Sequence, residues 1–156
     1  MRKKEAKTVQ RRMWFGMNAT VIIGPGFIHK AGFSKILLPH PPVINWLLRQ
    51  RLTDEARYPL SFTHEFGHLQ TVPLAVLYTG VMLALASVTG HTGLLEIVLV
   101  LISTHAAWEI TAEIYTIASN VHLYRKYYEK ITLIPRAIFW IITGAFAVTG
   151  WFVIFF

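Results

Sequence analysis

Residues 58–87 read YPLSFTHEFGHLQTVPLAVLYTGVMLALAS. The second half is an unbroken apolar run, while the first half places two histidines and a glutamate in a row. At 30 residues the stretch exceeds the roughly 20 apolar residues that a helix needs to cross a bilayer. Read as a spanning helix, it makes the polar group at its start a feature that the rest of the chain has to accommodate.

Two further runs, Thr92–Asn120 and Leu133–Phe156, are also long and apolar enough to span. The chain is 54% hydrophobic with only 15% charged residues, too apolar for an ordinary soluble domain. The expected fold is therefore an all-α integral membrane protein with about three transmembrane helices. Residues 1–156 are expected to form a single membrane domain, with residues 58–156 as its three-helix core.

Residues 1–57 do not offer a clean spanning helix. The run MWFGMNATVIIGPGFI is broken by Gly24-Pro25-Gly26, and ILLPHPPVINWLL by Pro39, Pro41 and Pro42. These segments are expected to be interfacial or re-entrant. The basic opening MRKKEAKTVQRR is followed by no small-residue cleavage site, so it is expected to be retained.

With residues 1–57 on one face, all 15 Lys and Arg fall on that face, and the loop SVTGHTG at 87–93 carries none. The positive-inside rule then places the N-terminus in the cytoplasm. The formal charge of +7 points to the lipid bilayer as partner, because the basic residues flank apolar runs and do not form a nucleic-acid surface. Trp14, Trp46, Tyr58, Tyr124, Tyr127 and Tyr128 lie near the same face and are expected to form an interfacial belt.

Cysteine is absent, so a metal would be held by histidine, carboxylate or water. His64-Glu65-Phe66-Gly67-His68 fits H-E-x-x-H, in which side chains four apart share a helix face and both imidazoles reach one ion. Glu65 is placed beside that ion as a candidate base. A second polar group, His105, Glu109 and Glu113, repeats every four residues and forms one stripe on an otherwise apolar helix. Ionisable groups within a span cost about 2.5–3.5 kcal/mol each on insertion scales, so they have partners or a function.

An antiparallel hairpin turning in the 87–93 loop brings the two groups to one depth, with His68 beside Glu113 and Glu109 opposite Thr71. Depth thus favours Glu113 over Glu109 as the ligand. Pro73 is expected to kink the first helix and free the carbonyl near Leu69.

These residues resemble the zincin metalloproteases. The Glu-x-x-x-Glu at 109–113 resembles the gluzincin branch, whose downstream helix supplies a glutamate ligand and, four residues on, an acid supporting a histidine. The resemblance implies that His64 and His68 bind zinc, Glu65 activates water, Glu109 is the third ligand and Glu113 the supporting acid. The expected function is a membrane-embedded zinc metallopeptidase acting near the cytoplasmic face, on a membrane protein substrate or with partner subunits.

Two other readings compete. Glu65-x-x-His68 with Glu109, Glu113 and His105 resembles a di-iron carboxylate set, and His105 could instead ligate a haem or chlorophyll in a redox protein. Alternatively, the polar groups only fix helix pairing in a non-catalytic subunit of a larger membrane complex.

Overall fold

A computed structural model describes residues 7–24, 30–31, 34–39, 54–130 and 133–156. Four helices dominate it: α1 (Asp54–Val88), α2 (Leu94–Ser119), α3 (Val121–Lys130) and α4 (Leu133–Phe155). Among the described residues, three stretches within them are long and apolar enough to cross a membrane: Pro59–Val88, Leu94–Ser119 and Ala137–Phe155. They coincide with the three runs expected from sequence.

The all-α expectation fails before residue 40. Strands β1 (Lys7–Arg12), β2 (Asn18–Gly24), β3 (Lys30–Ala31) and β4 (Lys35–Pro39) form one sheet in the order β1-β2-β4-β3. β1 and β2 are an antiparallel hairpin in which Lys7 opposes Ile23 and Arg12 opposes Asn18. β4 runs parallel to β2, and β3 pairs antiparallel with β4.

The physical reason lies in β2. Ala19, Val21 and Ile23 alternate with Thr20 and Ile22, and β-branched residues in alternation suit a strand with one covered face. Gly16 closes the β1–β2 turn at φ 90°, a conformation that side-chain-bearing residues rarely adopt. The interfacial or re-entrant reading of residues 40–53, including the Pro41-Pro42 pair and Trp46, lies outside the described residues.

The inward face of the sheet packs on one side of α1. Met13, Ala19, Val21 and Ile36 bury against Leu69, flanked by Phe62 and Phe66. Trp14, at the hairpin turn, adds a clasp: its backbone N–H donates to Gln70 Oε1 at 3.0 Å and its indole Nε1–H to the Gln70 carbonyl at 2.6 Å. Pro73 stands inside α1 and has no N–H to donate. The carbonyls on either side of Leu69 are met from outside the helix, that of Gln70 by Trp14 and that of His68 by the Trp108 indole at 3.1 Å.

α2 is the central helix, packed against both α1 and α4, which touch each other little. Towards the turn that joins α1 to α2, Met82, Ala86, Val100 and Ile154 make a buried apolar cluster. Gly150 permits this packing, since a Cβ there would lie 2.8 Å from the Ser103 side chain and 3.1 Å from Met82. Ser103 Oγ–H donates to the Ala147 carbonyl at 2.6 Å, and the Trp151 indole donates to Tyr78 at 2.7 Å.

Candidate metal centre

The other end of the α1–α2 pair is polar. α1 turns Phe62, Phe66 and Leu69 to the sheet, so helical periodicity turns His64, Gly67, His68 and Thr71 to α2. Gly67 sets the spacing: a Cβ there would sit 3.0 Å from the Ala112 carbonyl oxygen and 3.1 Å from its Cα. The glycine inside H-E-F-G-H thus lets the two backbones close up where the ionisable side chains meet.

Glu109 reaches both histidines. Its Oε2 lies 3.3 Å from His64 Nε2, and its Oε1 lies 3.4 Å from His68 Nε2. The other face of His64 is occupied differently, with Nδ1 only 2.8 Å from Glu113 Oε2. Glu113, 1% exposed, in turn accepts a hydrogen bond from the buried Tyr124 hydroxyl. Trp108 packs edge-on to His68 at 4.9 Å between ring centres, and its indole also donates to Thr71 Oγ1 at 3.0 Å.

His64, His68 and Glu109 each offer one ligand atom, and these atoms all lie within 4.8 Å of one another. Among the described residues, this is the group of histidine and carboxylate side chains spaced for a metal ion. Two ligands about 2.0–2.1 Å from a shared ion stand about 3.3–3.5 Å apart at the tetrahedral angle. The 3.3 and 3.4 Å separations fall near that spacing but are made by different Glu109 oxygens, and they are long for charge-assisted hydrogen bonds, which run about 2.7–2.9 Å. The 2.8 Å contact between His64 and Glu113 is an ordinary hydrogen bond of that strong kind. Nδ1 of His68 is buried and has no hydrogen-bond partner among the described residues.

The backbone register agrees with the expected hairpin to within a residue, since Gly67 opposes Ala112. Depth alone picked the wrong neighbour for His68, however. The Glu109 carboxylate, expected opposite Thr71, touches both histidines, whereas that of Glu113 contacts His64. Tyr124, expected in an interfacial belt, is buried against Glu113.

Asn120 explains how Tyr124 gets there. It ends α2, and its side chain donates to Thr63 Oγ1 at 2.8 Å while its carbonyl accepts from the Tyr124 N–H at 2.8 Å. The chain therefore turns back into the short helix α3 beside the site. That helix went unrecognised in the sequence, although VHLYRKYYEK interleaves apolar and charged residues at helical spacing.

His105 stands at the outer edge of the cluster, its side chain 67% exposed and its Nε2 3.6 Å from Glu109 Oε1. Glu65 is half-buried on α1 and is not a member of the three-residue cluster. Fold and site together define an α-helical hairpin, extended by a third long apolar helix, with a two-histidine, one-carboxylate cluster at its open end. No protein family, curated protein or solved structure matches this chain.

Proposed function

We propose that the chain is a membrane-embedded, zinc-dependent hydrolase of the metallopeptidase kind, with its site at the cytoplasmic boundary of the bilayer. The observation that carries this reading is the grouping of His64, His68 and Glu109, with one ligand atom of each within 4.8 Å of the others, beside a 2.8 Å hydrogen bond between His64 Nδ1 and Glu113.

The depth follows from helix length. About 20 residues cross the hydrocarbon core, and counted from Val88 along α1 or from Leu94 along α2 they end near Leu69 and Glu113. The cluster then sits where lipid gives way to headgroups, with the sheet beside it outside the core. The lysines and arginines concentrate at that same end, which supports a cytoplasmic N-terminus.

His64, His68 and Glu109 would hold the ion and leave a fourth position open. Bound there, zinc supplies a Lewis acid that polarises a carbonyl and acidifies water. Glu113 fixes the His64 tautomer by accepting from Nδ1–H, which aims Nε2 at the cluster, and Tyr124 holds Glu113. Glu65, next to His64 on α1, takes the proton of the attacking water and passes it to the leaving amine. The di-iron reading has less support, because Glu113 is already engaged by His64 and Tyr124.

Metal analysis of the detergent-purified protein tests the reading, alongside hydrolysis assays of the Glu65→Gln variant. About one zinc per chain, with hydrolysis in the wild type reduced by about a hundredfold or more in the variant and zinc retained, is the expected result. A folded wild type that takes up no zinc when the metal is supplied would overturn it.

A further inference from the structure

Immediately above the cluster, on the side of the turn, α1 and α2 enclose an apolar groove of about 480 Å³. Its walls include Val72, Val76 and Thr79 on α1 and Leu101 on α2, and its lower end is made by His105 and Trp108. Val76, Gly80, Leu101 and His105 are exposed, so the groove opens sideways, within the stretches long and apolar enough to span. A second groove, on the Leu74, Tyr78 and Trp151 side of Trp108, has no residue of the histidine–glutamate group in its lining.

Size decides what the first groove accommodates. A helix about 10 Å across occupies more than roughly 1,000 Å³ over ten residues, at about 1.5 Å rise each. A transmembrane segment of another protein would lie over this open groove and not inside it, whereas a single hydrocarbon chain is of a size to lie within its roughly 480 Å³. Direction decides how such a chain lies. From Leu83 and Leu101 the groove descends to His105, whose exposed ring is 3.6 Å from the Glu109 carboxylate. A lipid of the cytoplasmic leaflet has the same polarity, head towards the cluster and tail towards the turn, and a head at His105, eight residues inside Glu113, lies about 12 Å within the core under the reading above.

We infer that this groove is an acyl-chain site and that the substrate of the metal centre carries a fatty acyl chain. The inference rests on the proposed hydrolase and names its substrate class. The chain seats along Val76 and Leu101, and the amide at its head lies beside His105 and Glu109. Hydrolysis there adds water across that amide, breaking the C–N bond to leave a carboxylic acid and an amine. His105 is a positioning residue for the head of the substrate, which accounts for an exposed ring beside a ligand carboxylate.

The test uses a palmitoyl amide with a mid-chain diazirine, photolysed with the full-length protein in phosphatidylcholine bilayers and mapped by peptide mass spectrometry. Zinc content is measured on the same samples. The expected result is labelling concentrated on Val72–Leu83 and Leu101–His105 and competed by unlabelled palmitoyl amide. Gly80→Leu should lower it about tenfold while leaving zinc content unchanged, because a Cβ at Gly80 meets nothing within 4 Å and the added side chain fills the groove without disturbing the helices. Label spread evenly onto outward residues of α4 such as Phe146 and Phe152, and not competed, would overturn the acyl-chain site while leaving the metal centre standing. Competed groove labelling in a folded protein that takes up no zinc would instead overturn the hydrolase, and with it the assignment of the chain as substrate.

Discussion

The two ends of the α1–α2 pair are held together by different physics. Near the turn, Met82, Ala86 and Val100 close against Ile154 with no ionisable group among them. At the open end, Gly67 brings the backbones together around His64, His68, Glu109 and Glu113. Each region has a glycine at a close contact, Gly150 of α4 against Ser103 of α2 and Gly67 of α1 against Ala112 of α2. What differs is what the close approach achieves: at one end it improves packing between apolar surfaces, at the other it sets the distances of a ligand cluster. The apolar end therefore stabilises the bundle, and the polar end gathers its ionisable groups.

Substitutions at the two ends should separate these roles, and zinc uptake ranks them. His68→Ala removes a ligand from a three-residue set, so stoichiometric zinc is expected to be lost while circular dichroism still shows the helices. Retention of one zinc per chain would break the assignment. Glu113→Gln keeps the shape but weakens the acceptor behind His64, and zinc affinity should fall about 10- to 100-fold by competition with a chromophoric chelator. Tyr124→Phe acts one bond further out and should cost less than Glu113→Gln, on the order of a few-fold. An effect larger than that of Glu113→Gln would mean that α3 contributes more than the positioning of one carboxylate.

Met82→Ala sharpens the contrast from the other side. The lost packing should destabilise the protein by about 2 kcal/mol or more, read as a lower thermal midpoint. Zinc affinity of the folded molecule should not change. A parallel drop in affinity would show that the two ends are mechanically coupled.

The three long helices were legible because apolar length is a strong and unambiguous signal, and the hairpin register followed from the loop at 87–93. The juxtaposition of the two polar groups was legible too, since His64, His68, Glu109 and Glu113 are ionisable groups on apolar helices that the hairpin register brings together. Which carboxylate meets which imidazole was not, because it depends on helix azimuth and on the reach of a glutamate side chain. The sheet was missed for another reason. β1, KTVQRR, reads as a basic tail, and within it only Val9 is partly buried against the core. The usable signal was the alternation of Ala19, Val21 and Ile23, obscured by Gly24-Pro25-Gly26, which reads more readily as a broken membrane segment.

The hairpin turn, which includes Gly90 at φ 84°, lies at the far end of the pair from the metal centre. Pairing of two adjacent helices spreads outward from the loop that joins them, because closing a short loop loses less entropy than closing a long one. Met82 and Ala86 therefore meet Val100 before His64 meets Glu109, 45 residues away in the chain. The histidine–glutamate cluster thus exists only once the hairpin is complete, and its assembly marks that α1 and α2 have found their register.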